Sequence, residues 1–176
     1  MSRLESGLER LRLWDAALCI RFNGAVHIAP VRWMFRAVSR LGNGVFWYSL
    51  MLSLLATGGA AALGPVGRMA GTGLVCTLTY KWLKSKTSRP RPFAVQSAVR
   101  AGADPLDRFS FPSGHTLHAV AFSVVAITFY PALAWLLVPF TLLVAVSRVV
   151  LGLHYPSDVL AGAALGALIA VGGLAV

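Results

Sequence analysis

Acidic side chains are scarce in this sequence. Only 6 Asp and Glu stand against 16 Lys and Arg in 176 residues, a formal net charge of +10. Charged residues of either sign make up 12% of the chain and hydrophobic residues 57%, with a mean hydropathy of +0.70. That balance excludes an ordinary soluble domain of this length, and the length suits one compact unit rather than two. Cysteine is nearly absent, with Cys19 and Cys76 alone and neither a metal-ligand spacing nor a disulfide framework. The opening stretch "MSRLESGLERLRLW" breaks its apolar residues with charges and lacks a small-residue cleavage site, so no cleavable signal peptide is expected. The positive charge sits at the edges of apolar runs rather than on a soluble face. It points to anionic lipid headgroups or an anionic substrate, and away from nucleic acid.

What is present is a series of long apolar runs. A bilayer core of about 30 Å needs roughly 20 apolar residues in a helix. Five segments meet that need: residues 45–63 closed by a "GPVG" turn, 66–83, 112–130, 131–149 with a kink at Pro139, and 156–176. The expected fold class is therefore all-α, a polytopic membrane bundle of five transmembrane helices. Residues 1–44 differ. Leu4, Leu8, Leu11, Trp14, Leu18 and Phe22 recur at helical spacing, interrupted by Asp15, and Arg32, Arg36 and Arg40 form a basic row after Pro30. These are expected to be N-terminal amphipathic helices. Two placements fit them equally: in the membrane interface, or packed on the protein's own spans. The expected organisation is thus an interfacial segment, 1–44, and a transmembrane core, 45–176, that carries one long loop, 84–111. Two Arg-Pro pairs make helix unlikely in that loop, and a loop of this length in a compact chain is often functional.

With five spans, the loop 84–111, the junction 148–155 and the N-terminal region share one face, and three polar clusters meet there. The first is Lys84 followed by Arg91-Pro92. Lys86 and Arg89 beside them are expected to be solvated. The second is "PSGH", Pro112 to His115. Proline suits the first helical turn, and Ser113 and Gly114 then offer backbone N–H groups at a helix N-terminus, a natural seat for an anion. The third is Arg148, His154 and Asp158 in "SRVVLGLHYPSD". Pro156 can open the last helix, with Asp158 in its first turn and within reach of His154. A carboxylate beside histidine holds its tautomer and its positive charge, and the fork of Arg148 suits phosphate oxygens. Taken singly, each cluster also reads as a turn or an anchored helix end. His118 is expected to be a satisfied polar residue on a helix face.

Together the clusters are far more specific. "KSKTSRPRP", "PSGH" and "SRVVLGLHYPSD" resemble the three motifs of the type-2 phosphatidic acid phosphatase family, which also includes the vanadium-dependent haloperoxidases and bacterial acid phosphatases. The resemblance covers about residues 43–176. It implies that His154 attacks phosphorus to form a phosphohistidine, that Asp158 orients His154, and that His115 protonates the leaving alkoxide and then activates water. Lys84, Arg91, Ser113, Gly114 and Arg148 would bind the phosphate oxygens. No metal and no cofactor is implied.

The function expected on that basis is an integral-membrane lipid phosphatase. Its partners would be membrane lipids and a lipid phosphate substrate: phosphatidic acid, phosphatidylglycerophosphate, lysophosphatidate or a polyprenyl diphosphate. Two alternatives stay open, a phosphotransferase using the same histidine and a non-catalytic binder of anionic lipids. The expected location is a bacterial inner membrane. Lys and Arg counts near span ends favour a cytoplasmic site, because the opposite face holds only Arg68. The resemblance points to the extracytoplasmic side, which is the expectation carried forward. Small-residue runs such as "AGAALGALIA" permit close helix packing, within one chain or between chains.

Overall fold

The structure is a computed structural model that describes residues 3–175. The expected end of the last span, Val176, and the side chains of Arg3, Leu4 and Leu8 lie outside the described residues. The described chain is helical throughout, apart from its loops. Its helices are α1 (Arg3–Asn23), α2 (Ala29–Arg40), α3 (Phe46–Gly58), α4 (Leu63–Thr87), the single turn α5 (Pro92–Val95), α6 (Gly114–Phe129), α7 (Ala134–Val150) and α8 (Pro156–Leu174). Proline stands in the first turn of α2, α5 and α8, where its missing N–H costs nothing. The helices Pro131–Val150 and Pro156–Leu174 and the stretch Ala29–Thr87, in which α2, α3 and α4 follow one another across a kink at Asn43 and Gly44 and the segment Gly59–Ala62, are long and apolar enough to cross a membrane, and Gly114–Phe129 is a shorter apolar helix. The protein is an all-helical integral membrane protein.

Two boundaries differ from the sequence reading. "GPVG" is not a turn. Gly64 to Gly67 open α4, and the reversal falls on the 3₁₀ segment Gly59–Ala62. A proline in a first turn needs no intrahelical N–H bond, so Pro65 does not stop the helix. At its other end α4 runs on to Thr87 and stops at Ser88, which is left-handed at φ 46°. Lys84 is therefore helical and not part of the loop. Pro139 lies inside α7, which continues through it.

The core forms around α6, which packs against α4, α7 and α8. Leu117, Phe122 and Val125 are buried there against Trp47, Met69 and Leu137. At the α6–α8 seam the approach is closer than side chains allow. A Cβ on Gly162 would stand 2.6 Å from the Ser113 carbonyl oxygen, and one on Gly166 would overlap the carbonyl of Leu117. Around the outside, Leu52, Leu74, Trp82, Trp135, Leu160 and Leu168 are exposed. An apolar perimeter of this kind is stable only against lipid.

The N-terminal helices pack on the bundle through α7 and α8. Leu11, Trp14 and Phe22 face outward, at 53%, 68% and 48% exposure, while Asp15, Cys19 and Asn23 are buried. The stripe Asp15, Cys19 and Asn23 of α1 thus faces the protein, while Leu11, Trp14 and Phe22 face away with the exposed Arg12 and Arg21. Asn23 shows why. Its amide donates to the carbonyls of Arg100 and Val150 and accepts the Arg100 N–H at 2.8 Å, so α1 satisfies backbone groups of the loop and of the end of α7.

Candidate active site

The segment after α4 folds back on itself. Pro90 pairs with Phe109, and Ser110 N–H donates to the Arg89 carbonyl at 2.8 Å. This pairing sets Asp107 between Lys84 and Arg91. Lys84 Nζ donates to both Asp107 carboxylate oxygens at 2.7 Å and to the Phe109 carbonyl at 3.0 Å. Arg91 Nη2 donates to Asp107 Oδ1 at 2.8 Å and its Nε to the Asp107 carbonyl at 2.9 Å. Burial alone would push the Asp107 carboxyl up. The hydrogen bonds and charges of Lys84 and Arg91 overcome it and hold Asp107 below the usual carboxylate range.

Arg148 ends α7. The chain then turns at Gly152, φ 71°, where a Cβ would meet Val99 at 2.7 Å and the Arg100 carbonyl at 2.8 Å. Leu153 and His154 N–H groups both donate back to the Arg148 carbonyl. That tight turn seats His154, 1% exposed, beside the cations. Arg91 Nη1 donates to the Leu153 carbonyl at 2.8 Å and lies 3.3 Å from His154 Nε2. A guanidinium can only donate, so the neutral ring carries its proton on Nδ1 and keeps the Nε2 lone pair. Burial first, and then Arg148, Arg91 and Lys84, push the His154 imidazole well below its ordinary pKa. A neutral imidazole with an unprotonated Nε2 is the nucleophilic form.

Six of the eight residues expected from the sequence line one cavity of about 810 Å³: Lys84, Arg91, Gly114, His115, Arg148 and His154. Trp47, Met51, Leu74 and Phe122 continue it as an apolar cleft. The other two expected residues stand behind its wall. Ser113 is fully buried as the N-cap of α6, its hydroxyl 2.9 Å from that of Thr116 and its N–H on the Asp158 carbonyl at 3.0 Å. Asp158 is also fully buried, with Oδ2 3.7 Å from His154 Nδ1. That is an ion-pair distance beyond hydrogen-bond reach, and His154 Nδ1 has no hydrogen-bond partner. The Asp158 oxygens go instead to Tyr155 N–H at 2.8 Å and to Arg89 Nη1 at 2.6 Å. His118 is satisfied, with Nδ1 2.8 Å from the Gly114 carbonyl and Nε2 3.1 Å from the Thr77 hydroxyl.

Four residues of this network were not among the expected site residues. Asp107 joins Lys84 to Arg91. Arg89 is not solvated. It lies 4.1 Å over the Tyr155 ring and bridges Asp158 to Asp15, whose Oδ2 is 2.8 Å from its Nη2. Asp15 also accepts the N–H and hydroxyl of Ser157, so α1 is tied directly to the start of α8. Ser39 of α2 accepts from Arg148 Nη1. No spacing announces these contacts. The usable signal is scarcity: of only four aspartates in the chain, Asp15, Asp107 and Asp158 stand within this network.

Known proteins resemble this chain in sequence and in fold. The profile of the PAP2 superfamily matches residues 61–176. The decaprenylphosphoryl-5-phosphoribose phosphatase of Mycobacterium tuberculosis is 34% identical over 140 residues, 76% of this chain and 73% of that protein. The bacitracin transport permease protein BcrC of Bacillus licheniformis is 34% identical over 98 residues, 56% of this chain, so the match spans about half of that relative, 48%. Among solved structures, Aquifex aeolicus LpxE superposes with a TM-score of 0.80 at 24% identity over 91% of this chain and 94% of that one, a likeness of fold. The matched profile covers well over half the sequence and includes all three motifs, and the chain belongs to the type-2 phosphatidic acid phosphatase (PAP2) superfamily.

Proposed function

We infer that this protein is a membrane lipid phosphatase that hydrolyses a lipid phosphomonoester or diphosphate through a phosphohistidine. The observation that carries the reading is a buried histidine, His154, that shares with Lys84, Arg91 and Arg148 the polar end of an apolar cleft. The three cations seat the phosphate and take up charge in the transition state. His154 Nε2 forms the bond to phosphorus as the bond to the leaving oxygen breaks. His115, in the first turn of α6 and lining the same cavity, gives that oxygen its proton. A water molecule then attacks the phosphohistidine and returns a proton to His115. Asp158, 3.7 Å from Nδ1, stabilises the charge that develops on the ring. The tails would occupy the cleft of Trp47, Met51 and Phe122.

The site in this reading lies at the headgroup level of an inner membrane, with α3, α4, α6, α7 and α8 as five spans and the site face extracytoplasmic. Phosphate release from a panel of lipid phosphates by purified protein in detergent is the test. His154→Ala is expected to lose at least about 1,000-fold in kcat. Wild-type turnover in that variant would sink the assignment. Adding an acceptor lipid and analysing products separates hydrolysis from phosphotransfer.

A further inference from the structure

A lipid phosphatase makes two products of opposite character. One keeps the tails, the other is inorganic phosphate, and the second half of the reaction consumes water. On the reading above the tails fill the apolar cleft of the first cavity, where Trp47, Met51, Leu74 and Phe122 stand. Water and a phosphate dianion pass such a lining only at a high desolvation cost. A second cavity, of about 330 Å³, adjoins the phosphate site from another side. Arg36, Ser39 and Arg40 line it from α2, and Ala103 and Asp104 from the loop, with no aromatic residue among its walls. His115 and Arg148 line both cavities, whereas His154 lines the first alone. The second cavity is buried at its inner end, at Ser39 and Arg148, and exposed at its outer end, at Arg40 and Asp104. It therefore joins the reacting centre to the surface.

The charges along this cavity suit the passage of an anion. Arg148 is buried, Arg36 half-buried and Arg40 exposed, so three cations stand at successive depths. Arg148 Nε is buried without a hydrogen-bond partner, although Nη1 reaches Ser39. Arg36 is anchored through Nε on the Gly102 carbonyl. Arg40 makes no hydrogen bond or ion pair among the described residues, and no ion pair there joins Asp104 to any of the three arginines. The cations draw an anion outward, and the carboxylate at the mouth keeps it from being held. A permeation path needs both. We propose that the second cavity is the aqueous port of the active site, through which hydrolytic water enters and inorganic phosphate leaves by way of Arg36 and Arg40. This rests on the phosphatase reading above. In the second step a water oxygen bonds to the phosphorus of the phosphohistidine as the bond from phosphorus to His154 Nε2 breaks. The electron pair returns to Nε2, and the water's proton goes to His115, which lines the port. Inorganic phosphate then passes from Arg148 to Arg36 and Arg40, while the tailed product withdraws along the cleft. Arg36 and Arg40 lie outside the family-matched residues 61–176.

The test separates the two half-reactions on full-length protein in neutral detergent, with phosphatidic acid as substrate. Rapid-quench kinetics give the first-turnover rate of diacylglycerol formation, the level of phosphohistidine and the steady rate. Exchange of isotopic oxygen between inorganic phosphate and water reports phosphate entry with no lipid substrate present. Ala103 lines the second cavity and not the first, so Ala103→Trp narrows the port alone. That variant is expected to keep its first-turnover rate within about twofold of wild type, to lose at least about tenfold in steady rate and in exchange, and to accumulate phosphohistidine. Arg40→Glu reverses the charge at the mouth and is expected to slow exchange at least about fivefold at low salt, and less at high salt. Exchange and steady rates within twofold of wild type in both variants overturn the port. So does a first-turnover rate that falls in step with the steady rate in both, since the cavity then serves the first step. So does an effect of Arg40→Glu that is seen only when phosphatidylglycerol is added, since the cavity then takes a lipid headgroup. A wild-type protein inactive on every lipid phosphate refutes the phosphatase reading itself, and that outcome is distinct from an active enzyme whose variants exchange phosphate normally.

Discussion

His154 owes its reactive form to its neighbours. Its pKa is pushed well below the ordinary value by burial and then by Arg148, Arg91 and Lys84. A depressed pKa means that the nucleophilic neutral form is fully present at neutral pH and is lost only as pH falls through the lowered value. The acid limb of kcat/KM that belongs to His154 is therefore expected below the ordinary histidine value of about 6.5. Removing one of the cations with Arg91→Gln should move that limb upward as well as lower kcat. A pH profile of both proteins checks this, and a wild-type limb above the ordinary histidine value would contradict it. The motif residues were legible in the sequence because their types and spacings are demanded by the chemistry. Asp107 was not, because the fold-back that brings it between Lys84 and Arg91 depends on the pairing of Pro90 with Phe109.

At the scale of elements, α1 is part of the site's frame and not merely a surface anchor. Its buried Asp15 holds Arg89 and Ser157, and Arg89 holds Asp158. Asp15→Ala would strand a partly buried guanidinium and a helix-start N–H, and is expected to cost about 3 kcal/mol. It should also lower kcat, because Arg89 is then free to turn away from Asp158. Thermal unfolding in detergent and steady-state kinetics read the two effects, and unchanged stability would count against this frame. The helical repeat of α1 was legible. Which of its stripes faces the protein was not, because in lipid an apolar stripe is stable outside and a polar one needs partners.

For the whole molecule, two expectations concern assembly. Gly162 and Gly166 let α8 lie against the α6 backbone, which places Ser113 and Asp158 in contact. Gly166→Leu must part these helices and is expected to cost about 3 kcal/mol or more, seen as a lower unfolding temperature and loss of activity together. Five spans with an extracytoplasmic site would leave the C-terminus in the cytoplasm. A C-terminal reporter fusion should report it there, and an external reporter would place the site in the cytoplasm, as the charge count suggests. Part of that count is structural, since Arg36 and Arg89 are committed to Gly102, Asp15 and Asp158. Such residues say less about orientation than exposed ones.

The amino-acid sequence by itself determined the class of molecule, the rough places of the apolar helices, and the residues proposed to meet a phosphate. Those features follow from local composition, from periodicity and from chemistry that tolerates few substitutes. Tertiary structure alone decided that Ser113 and Asp158 stand behind the cavity wall, that Arg89 and Asp15 brace Asp158 beside His154, and that α2 brings arginines to a second cavity. These contacts join residues up to 142 positions apart. Their partners are selected by the burial of charge, which only the folded chain brings about.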